Sequence, residues 1–547
     1  MHTDAKSLKE WGDRLFSAKQ PWDSLNQEVA VNFYPMRADF TASRDIGDEF
    51  AAHLMSGYPV LVHRDLSNSI GSMLRPKGQP WFHMGADREE KETHDAKRWL
   101  EWAEGLQRRA MEDRRTMFAR ATKEGDHDFS AFGGAVISTE VNRRNMTLLY
   151  RCWHLRDVAW AEDSYGQINF VPRNWKPTVR ELCGYSSQGL RVHPKIIEAK
   201  DKEPDRKVHV RHMVVSAEDY DATKRFRQPW VSLFIDCENN HIMAERGSWT
   251  RIYTIPRWAT VSGSQYPHSP ATTIALPDAR LLQAMTLTLL EAGERAANPP
   301  MIGVAEAVRG DLNIYAGGFT AVDADYDERL GEVLRPLVQD KSGLPAGFEM
   351  QDRQFEMLRE AFYLNTLNMP PQGGPEMTAF EVGQRVQEYI RNAMPLFEPM
   401  EDDYNGGLCE ITFETLLHEG AFGSPDTIPP EIAGSEVKFR FESPLAEMIE
   451  RQKGQQFLEA KAMIAQAMEI DPSAPMIMDF NETLRDVLSG IGSPAKWLRS
   501  PEEVEAMKAA QSAQNEAATL LAGMEQGATV AEKLGNASQS FAGSKAA

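Results

Sequence analysis

The sequence predicts an α+β fold in which helices predominate. Residues 86–125 are rich in charge pairs and carry apolar residues at helical spacing, which is typical of one long amphipathic helix. Residues 135–256 instead contain short β-branched and aromatic runs between Asp, Gly and Asn turn signals, which indicates strands. Helical patterns return after residue 276. We therefore expect one strand-rich layer within a mainly helical protein.

The first quarter of the chain is expected to be mostly helical. A helical pattern covers residues 40–75 and ends in the loop of residues 75–80, where two prolines and a glycine interrupt it. Asp126-His127-Asp128 and Gly133-Gly134 then predict a turn region. The expected inward residues of the helix over 86–125 are Trp99, Leu100, Trp102, Leu106, Met111 and Phe118.

A hairpin is predicted within the strand-rich layer. Val231, Leu233 and Ile235 occupy alternate positions, as on a strand with one buried face. The run Glu238-Asn239-Asn240 after them indicates a turn.

One long helix is predicted over residues 277–297. Pro277 suits a first helical position, Asp278 complements the positive end of the helix dipole, and Pro299-Pro300 prevents continuation. At about 1.5 Å per residue this helix spans roughly 30 Å. Its candidate packing stripe, which ends in small residues that permit close helix contact, is Leu281, Met285, Leu289, Ala292 and Ala296.

Several helices and one loop are expected after it. A turn-rich stretch with short strands covers residues 301–325. The predicted helices are 326–338, 351–368, 377–395, 405–418 and 444–469, followed by a tail that begins as a helix and becomes disordered near Gly535. Between the first two lies the loop Lys341-Ser342-Gly343-Leu344-Pro345-Ala346-Gly347, whose flexibility depends on Gly343 and Gly347.

Composition excludes several classes of protein. The formal charge is −20, whereas a protein that holds DNA tightly through its phosphates carries a basic surface. No stretch approaches 18 consecutive apolar residues, so no membrane insertion is expected, and the polar N-terminus does not resemble a secretory signal. The four cysteines are far apart, which fits reduced thiols better than a zinc site or a disulfide framework.

Candidate catalytic and metal sites are weak. Asp236, Glu238, His241 and Glu245 could form an acid–base cluster, but a polar hairpin tip explains them better. His209 and His212 would point to opposite faces of a strand. The start of a calcium loop at Asp323, Asp325 and Asp327 fails at its later positions, so an acidic loop that contacts a partner is expected. We expect no catalytic residue, no cofactor, no metal and no nucleotide-binding motif.

Several passages, in order, resemble the head-to-tail connector (portal) proteins of short-tailed, podovirus-type bacteriophages. Tyr34-Pro35-Met36-Arg37 is followed by residues 67–76, which end in Leu74-Arg75-Pro76, and by Trp81-Phe82. The most specific passage runs from Pro256-Arg257-Trp258 through Tyr266-Pro267 into the long helix. Thr378-Ala379-Phe380-Glu381-Val382 and Ser443-Pro444-Leu445-Ala446 come next in the expected order. The shortened strand motif and Gln265-Tyr266-Pro267-His268 depart from the usual pattern.

This resemblance implies a ring of roughly twelve subunits with wing, stem, clip and crown regions. The implied boundaries are wing 1–275, stem helix 276–298, clip 299–325, second stem helix and lumen loop 326–350, second part of the wing 351–443, and a helical C-terminal crown 444–547. It also implies a passage for double-stranded DNA during packaging and ejection. The implied partners are a terminase packaging motor, a tail adaptor, and the major capsid and scaffolding proteins. The ring would lie at the capsid portal vertex after assembly in the host cytoplasm.

The acidic net charge of the chain fits a protein through which DNA passes better than a protein that holds DNA in place. A basic wall would create deep energy wells at each phosphate, whereas an acidic or neutral wall keeps the energy profile shallow. Lys341, Ser342 and Gly343 are the candidate sparse DNA contacts. Asp323, Asp325 and Asp327 are candidate clip contacts. Two alternatives stay open: a tail adaptor or tube ring, and a hydrolase that uses Asp236, Glu238 and His241.

Overall fold

A computed structural model gives the structure of the chain. It describes residues 4–45, 47–88, 91, 93–185, 189–220, 225–303, 334–336, 343–367 and 400–441, with short helical pieces between 457 and 514. The chain divides into two compact units. The first comprises Met1–His83, Gly105–Ser424 and Phe439–Leu445, and the second Met84–Glu104, Pro425–Lys438 and Ala446–Ala547.

The described residues mix helix and sheet, in agreement with the predicted α+β class. The described α-helices before residue 442 are α1 Ala5–Phe33, α2 Tyr58–Leu74, α3 His94–Glu112, α4 Phe118–Phe132, α5 Val179–Tyr185, α6 Pro194–Ala199, α7 Leu276–Ala297, α8 Gly343–Ala361, α9 Leu364–Leu367 and α10 Gly407–His418. A π-helical turn, Ala271–Ala275, leads into α7, and another, Met400–Gly406, leads into α10.

The described strands pair in four sheets. They are β1 Phe82–Ala86, β2 Ile137–Asn142, β3 Thr147–Cys152, β4 Ala161–Glu162, β5 Ile168–Trp175, β6 Val210–Ser216, β7 Trp230–Asp236, β8 His241–Ser248, β9 Tyr253–Thr254, β10 Met301–Gly303, β11 Leu334–Pro336 and β12 Val437–Phe441. The largest sheet has the order β4-β5-β6-β7-β8, and a smaller one has the order β3-β2-β9. The predicted strand-rich layer over residues 135–256 is thereby confirmed.

Helix α1 covers one face of the five-stranded sheet. Ala5 and Leu8 are buried against alternate residues of β5, β6 and β7, and the ring of Trp11 stacks on Phe170 with centroids 3.7 Å apart. The predicted alternation is confirmed, since Val231, Leu233 and Ile235 are fully buried on this face. The other face is covered by α5, α6 and the segments that join them, through Val179, Leu182, Leu190, Val192, Ile196 and Val208. The sheet therefore lies between two apolar layers.

Residues 86–125 do not form one helix. Strand β1 ends at Ala86, and α3 and α4 are separate, with a 3₁₀ turn at Arg114–Thr116 and a left-handed Met117 (φ 60°) between them. The side chain of Asp113 accepts a hydrogen bond from the backbone N–H of Arg115, which stabilises the turn. Because no proline or glycine marks the break, the pattern alone did not indicate it. Met111 and Phe118 are buried as expected, whereas Trp102 is exposed.

The turn predicted at Asp126-His127-Asp128 is also wrong. These residues lie inside α4, and both carboxylates are buried. Their partners come from distant segments, Arg37 for Asp128 and Arg75 for Asp126. A buried carboxylate persists when a cation compensates it, so a polar triplet here does not mark a turn. Among the described residues of the stretch 40–75, which was expected to be mostly helical, only α2 is an α-helix.

Two predictions near the long helix need correction. Residues 334–336 form β11, paired with β10 in the register Met301↔Pro336 and Gly303↔Leu334, and are not part of a helix over 326–338. The predicted loop of residues 341–347 is helical from Gly343 onward, because α8 begins there. Pro345 is compatible with helix at that place, since the first turn of a helix does not need its N–H groups.

The second unit is described in fewer residues. In it, the ammonium group of Lys91 lies 3.0 Å from Asp87 and donates a hydrogen bond of 2.7 Å to Ser435 Oγ. Residues 502–512 are helical, as expected for the start of the tail. The helices expected over 377–395 and most of 444–469 lie outside the described residues.

Candidate functional site

Helices α7 and α8 form an antiparallel pair within the first unit. The predicted long helix is confirmed: α7 runs from Leu276 to Ala297, with Pro277 at its start and Asp278 in its first turn. Only its N-terminal part is buried, through Leu276, Ala279 and Leu282, and α8 is buried at its C-terminal end through Leu358 and Ala361. Both helices therefore extend beyond the core that holds their bases.

The two helices approach each other closely at a glycine. A methyl group on Gly347 would lie 2.6 Å from Leu289 Cδ2, so α8 presents bare backbone to that leucine. One turn away, Gln351 Nε2 donates a hydrogen bond of 2.9 Å to Thr286 Oγ1. Leu289 of the predicted stripe thus packs within the chain.

The segment Met55–Tyr58 anchors the pair at its base. The side chain of Gln283 accepts hydrogen bonds from the N–H groups of Met55 (2.7 Å) and Ser56 (2.8 Å) and donates one to Ser56 O (2.8 Å). Tyr58 packs on Phe355 of α8, with ring centroids 4.1 Å apart. One short segment therefore contacts both helices from the same side.

The pair has two exposed apolar flanks. Residues seven apart lie on the same side of a helix. Leu290 is seven residues after Gln283, and Phe348 is seven residues before Phe355, so both lie on the side that contacts Met55–Tyr58. We call this side of the pair the anchored flank. Nine residues are two and a half helical turns, so Leu281 lies opposite Leu290, and Met357 lies opposite Phe348. We call that side, which also carries Met350, the opposite flank. The exposed side chains on the two flanks are Leu281 at 45%, Leu290 at 55%, Phe348 at 54%, Met350 at 56% and Met357 at 47%.

The rest of the predicted stripe follows the opposite flank. Met285, Ala292 and Ala296 lie within about 60° of Leu281 around the helix, and all three are half-buried. On the anchored flank the apolar surface continues past the base of the pair. There, an apolar hollow of about 450 Å³ is lined by Pro35, Ala51, Leu54, Gly57, Val60 and Leu61.

Comparison with known proteins identifies the family. The model of the bacteriophage head to tail connecting proteins matches residues 5–498. The chain belongs to this family. It is also 24% identical over 550 residues to the probable portal protein of Bordetella phage BPP-1, covering 97% of this chain and 95% of that protein. A head-to-tail connecting protein is virion-associated and assembles with capsid and tail components. None of the helices in the described part of the chain is long and apolar enough to cross a membrane.

In this connecting protein, the described passages among those that carried the resemblance form buried contacts, whereas residues 378–382 and 443–446 lie outside the described residues. Arg37 and Arg75 each pair with a carboxylate of α4. The N–H of Trp258 donates a hydrogen bond of 2.7 Å to Gly133 O, and a Cβ on Gly133 (φ 79°) would lie 2.5 Å from His268 C. The two arginines fix α4, and the contacts of Gly133 fix the segment that leads into α7, so the role that these contacts show is in the fold.

The acidic cluster at the β7–β8 hairpin is structural. Asp236 is fully buried and accepts hydrogen bonds from the N–H groups of Glu238 (2.9 Å) and Asn239 (3.2 Å), which fixes the turn. The ring Nε2 of His241 lies 2.9 Å from Arg191 O, and Glu245 pairs with Arg225. Within the described residues, no three His, Cys, Asp or Glu side chains are grouped to hold a metal ion. The arrangement offers no free acid–base pair, so it gives the hydrolase alternative no support.

Most of the other predicted site residues lie outside the described residues. Lys341 and Ser342 lie there, and Gly343 is the first residue of α8. The candidate clip contacts Asp323, Asp325 and Asp327 lie outside them as well. Sequence reasoning missed the anchoring segment Met55–Tyr58, because its partner Gln283 is more than two hundred positions away. It also missed Phe348 and Met350 of α8, because the predicted helix began only at residue 351.

Proposed function

We propose that copies of this chain close into a ring of roughly twelve subunits, in which the α7–α8 pairs surround a passage for double-stranded DNA. The observation that carries this proposal is the presence of two apolar flanks on opposite sides of one exposed helix pair. A closed ring needs two different surfaces on each subunit, because every contact joins one surface to the other. The anchored flank of one subunit would meet the opposite flank of the next.

Burial of these side chains gives the ring its stability. Each large apolar side chain contributes about 1.5–3 kcal/mol when it moves from water into a packed contact. An isolated chain would leave all of them in water, whereas exposed apolar patches of this extent are typical of interaction surfaces. The hollow next to Leu61 would extend the contact beyond the helices.

The passage is proposed to be acidic. The side of α8 that faces away from α7 carries the exposed carboxylates Glu349, Asp352, Glu356 and Glu360. Arg353 on the same side pairs with Glu349 at 3.1 Å. A wall of this kind repels phosphates weakly and evenly, so DNA would slide without being trapped. The role we propose is therefore structural and not catalytic.

The remaining assignments follow the expected order of regions. Residues 299–325 would bind the packaging motor and later the tail adaptor, and Lys341 and Ser342, next to α8, would contact the DNA. Residues 444–547 would form the crown. Residues 1–275 with 351–443 would form the wing, next to capsid and scaffolding proteins, except for the part of α8 after Gln351, which would line the passage. The ring would act in DNA packaging, head–tail joining and genome ejection at one vertex of the capsid.

Two charge variants test the ring. Leu281→Glu blocks the opposite flank and Leu290→Glu blocks the anchored flank, while Met146→Glu, on the exposed β2–β3 turn, is the control. Mass photometry should show rings for wild type and for the control, and monomers for each flank variant. Mixing the two flank variants should give heterodimers only, because each subunit keeps one usable flank.

Other outcomes contradict the proposal. Rings from either flank variant alone would remove that flank from the interface. Homodimers of one variant would mean that a flank pairs with its own kind. A wild-type ring whose central opening is narrower than a DNA duplex in electron micrographs would exclude the passage.

A further inference from the structure

Residues 176–185 and 189–208 form a lobe on the face of the five-stranded sheet that α1 does not cover. We call residues 176–208 the basic lobe. Its own apolar residues, among them Val179, Leu182 and Ile196, pack with Met243 of β8. Two of its segments run side by side, since Val179 N donates to Arg206 O and Val208 N donates to Pro177 O, both at 2.9 Å. The lobe is therefore anchored, and its polar side chains project from a fixed base.

The charge of the lobe is opposite to that of the chain. Residues 176–208 contain eight Lys and Arg and five Asp and Glu, a net charge of +3, so the other residues carry −23 of the total of −20. Two of the acidic residues are already compensated: Asp205 lies 3.4 Å from Arg180, and Glu203 lies 3.6 Å from Arg206. The acidic average of the chain thus conceals one cationic surface.

Five lysines of the lobe keep their charge available. Within the part of the chain that the structure describes, none of their ammonium groups forms an ion pair, and all five side chains are exposed. They are Lys176, Lys195, Lys200, Lys202 and Lys207. The segment pairing brings the stretch that carries Lys176 next to the stretch that carries Lys207, because Thr178 bridges to Lys207. Lys195 lies in α6, and Lys200 and Lys202 lie in the turn that follows it and leads into the paired segment.

We propose that the basic lobe binds the phosphate backbone of double-stranded DNA without reading its sequence. The high lysine content favours DNA over a protein as the partner. Lysine is depleted at protein–protein interfaces, where arginine and aromatic residues are enriched. Its ammonium group is a mobile point charge that suits phosphates. Contacts to phosphates alone carry no sequence information. The ligand class is therefore a duplex and not an acidic protein.

This inference rests on the proposed ring, which repeats the lobe in every subunit. A few lysines bind DNA weakly, but contacts linked in one assembly add to an avidity that a single lobe does not reach. The acidic remainder of each subunit repels DNA, so the duplex is confined to the lobes. Passage through an acidic channel and contact at the lobes are thus separate interactions with the same polymer.

The test compares two variants that lose the same charge. Lys195, Lys200, Lys202 and Lys207 are changed to Gln in the lobe variant. The matched control changes four exposed cations outside the lobe to Gln, namely Lys6, Lys77, Lys123 and Arg144. Binding of the full-length protein to a short blunt-ended duplex is measured over a series of salt concentrations, and rings are verified in every preparation.

The lobe variant should lose DNA affinity, and its slope of log K against log salt should fall by up to about 3.6, or about 0.9 for each lost phosphate contact. The control should keep the wild-type slope. Equal slopes for the lobe variant and the control would overturn the inference, as would poly-glutamate competing as well as duplex DNA at equal charge. If wild type forms no ring, the proposed function fails; if rings form and the slopes are equal, only the lobe assignment fails.

Discussion

Arg75, at the C-terminal end of α2, forms a buried ion pair with Asp126 in the middle of α4. The guanidinium group of Arg75 also donates a hydrogen bond of 2.7 Å to Asn405 Oδ1 and lies 4.7 Å from the centre of the Tyr404 ring. One cation thereby joins α2, α4 and the turn before α10. Arg75 belongs to the Leu74-Arg75-Pro76 passage that resembles the connector family.

Removing one partner of the Arg75–Asp126 pair should lower the stability of the fold strongly. Asp126→Ala leaves Arg75 buried without its counter-charge, which lowers the free energy of unfolding by about 3–5 kcal/mol. Urea unfolding of the monomeric Leu281→Glu protein measures it. The matched control is Asp65→Ala, whose partner Arg64 is more than half exposed, and about 0–1 kcal/mol is expected there. Equal losses at the two sites would mean that burial does not determine the contribution of the pair.

How much of this arrangement the sequence predicts depends on the distance between partners. The alternation of Val231, Leu233 and Ile235 and the presence of Pro277 in the first turn of α7 are local patterns, and both predictions are confirmed. Asp126 was assigned to a turn because its compensating Arg75 is 51 positions away along the chain. Such a pairing has no periodicity, so no local pattern indicates it.

The candidate site shows the same limit. The stripe from Leu281 to Ala296 identified one flank, since helical spacing is visible in the sequence. The anchored flank depends on Gln283 meeting Met55 and Ser56, more than two hundred residues earlier. Two glycines and a proline favour a loop at 341–347. Pro345 costs little in the first turn of a helix, and Gly347 permits the close approach of Leu289.

The contact between Gly347 and Leu289 should depend on size. Gly347→Ala places a methyl group against the movable end of Leu289, and the gain in helix propensity of about 0.5–1 kcal/mol offsets the crowding. Gly347→Val should separate the helices at a cost of about 1–3 kcal/mol. The double variant Gly347→Val with Leu289→Ala should regain part of this loss. A double-mutant cycle on unfolding free energies measures the coupling, and strictly additive effects would place the two residues apart.

Gln283 should control the opening of the anchoring segment. Gln283→Ala removes three hydrogen bonds, so the amides of Met55 and Ser56 should exchange with deuterium faster. Gln283→Glu is the matched control, because its carboxylate still accepts from both amides and loses only the bond to Ser56 O. Mass spectrometry of peptides over 50–58 resolves the two variants. Unchanged exchange in Gln283→Ala would show that Tyr58 and Phe355 hold the segment without it.

His63 should make the protein sensitive to acid. Burial lowers the pKa of His63 to about 3, and its ring Nε2 donates a hydrogen bond of 2.9 Å to His127 O. In the unfolded chain a histidine has a pKa of about 6.5, so between these values the unfolded state binds the proton and the folded state does not. Stability is therefore complete above pH 6.5 and falls as the pH drops toward 3. The expected loss between pH 7 and 4.5 is about 2–3 kcal/mol from this residue alone.

The variant His63→Gln isolates that contribution, because glutamine does not titrate and can still donate to the carbonyl of His127. Its free energy of unfolding should be lower than that of wild type at pH 7 and should fall less steeply toward pH 4.5. The difference between the two slopes is the measured quantity, since His212, also buried with a lowered pKa, contributes equally to both proteins. Parallel slopes would mean that His63 binds its proton equally in the folded and the unfolded state, so that its burial does not contribute to the acid sensitivity.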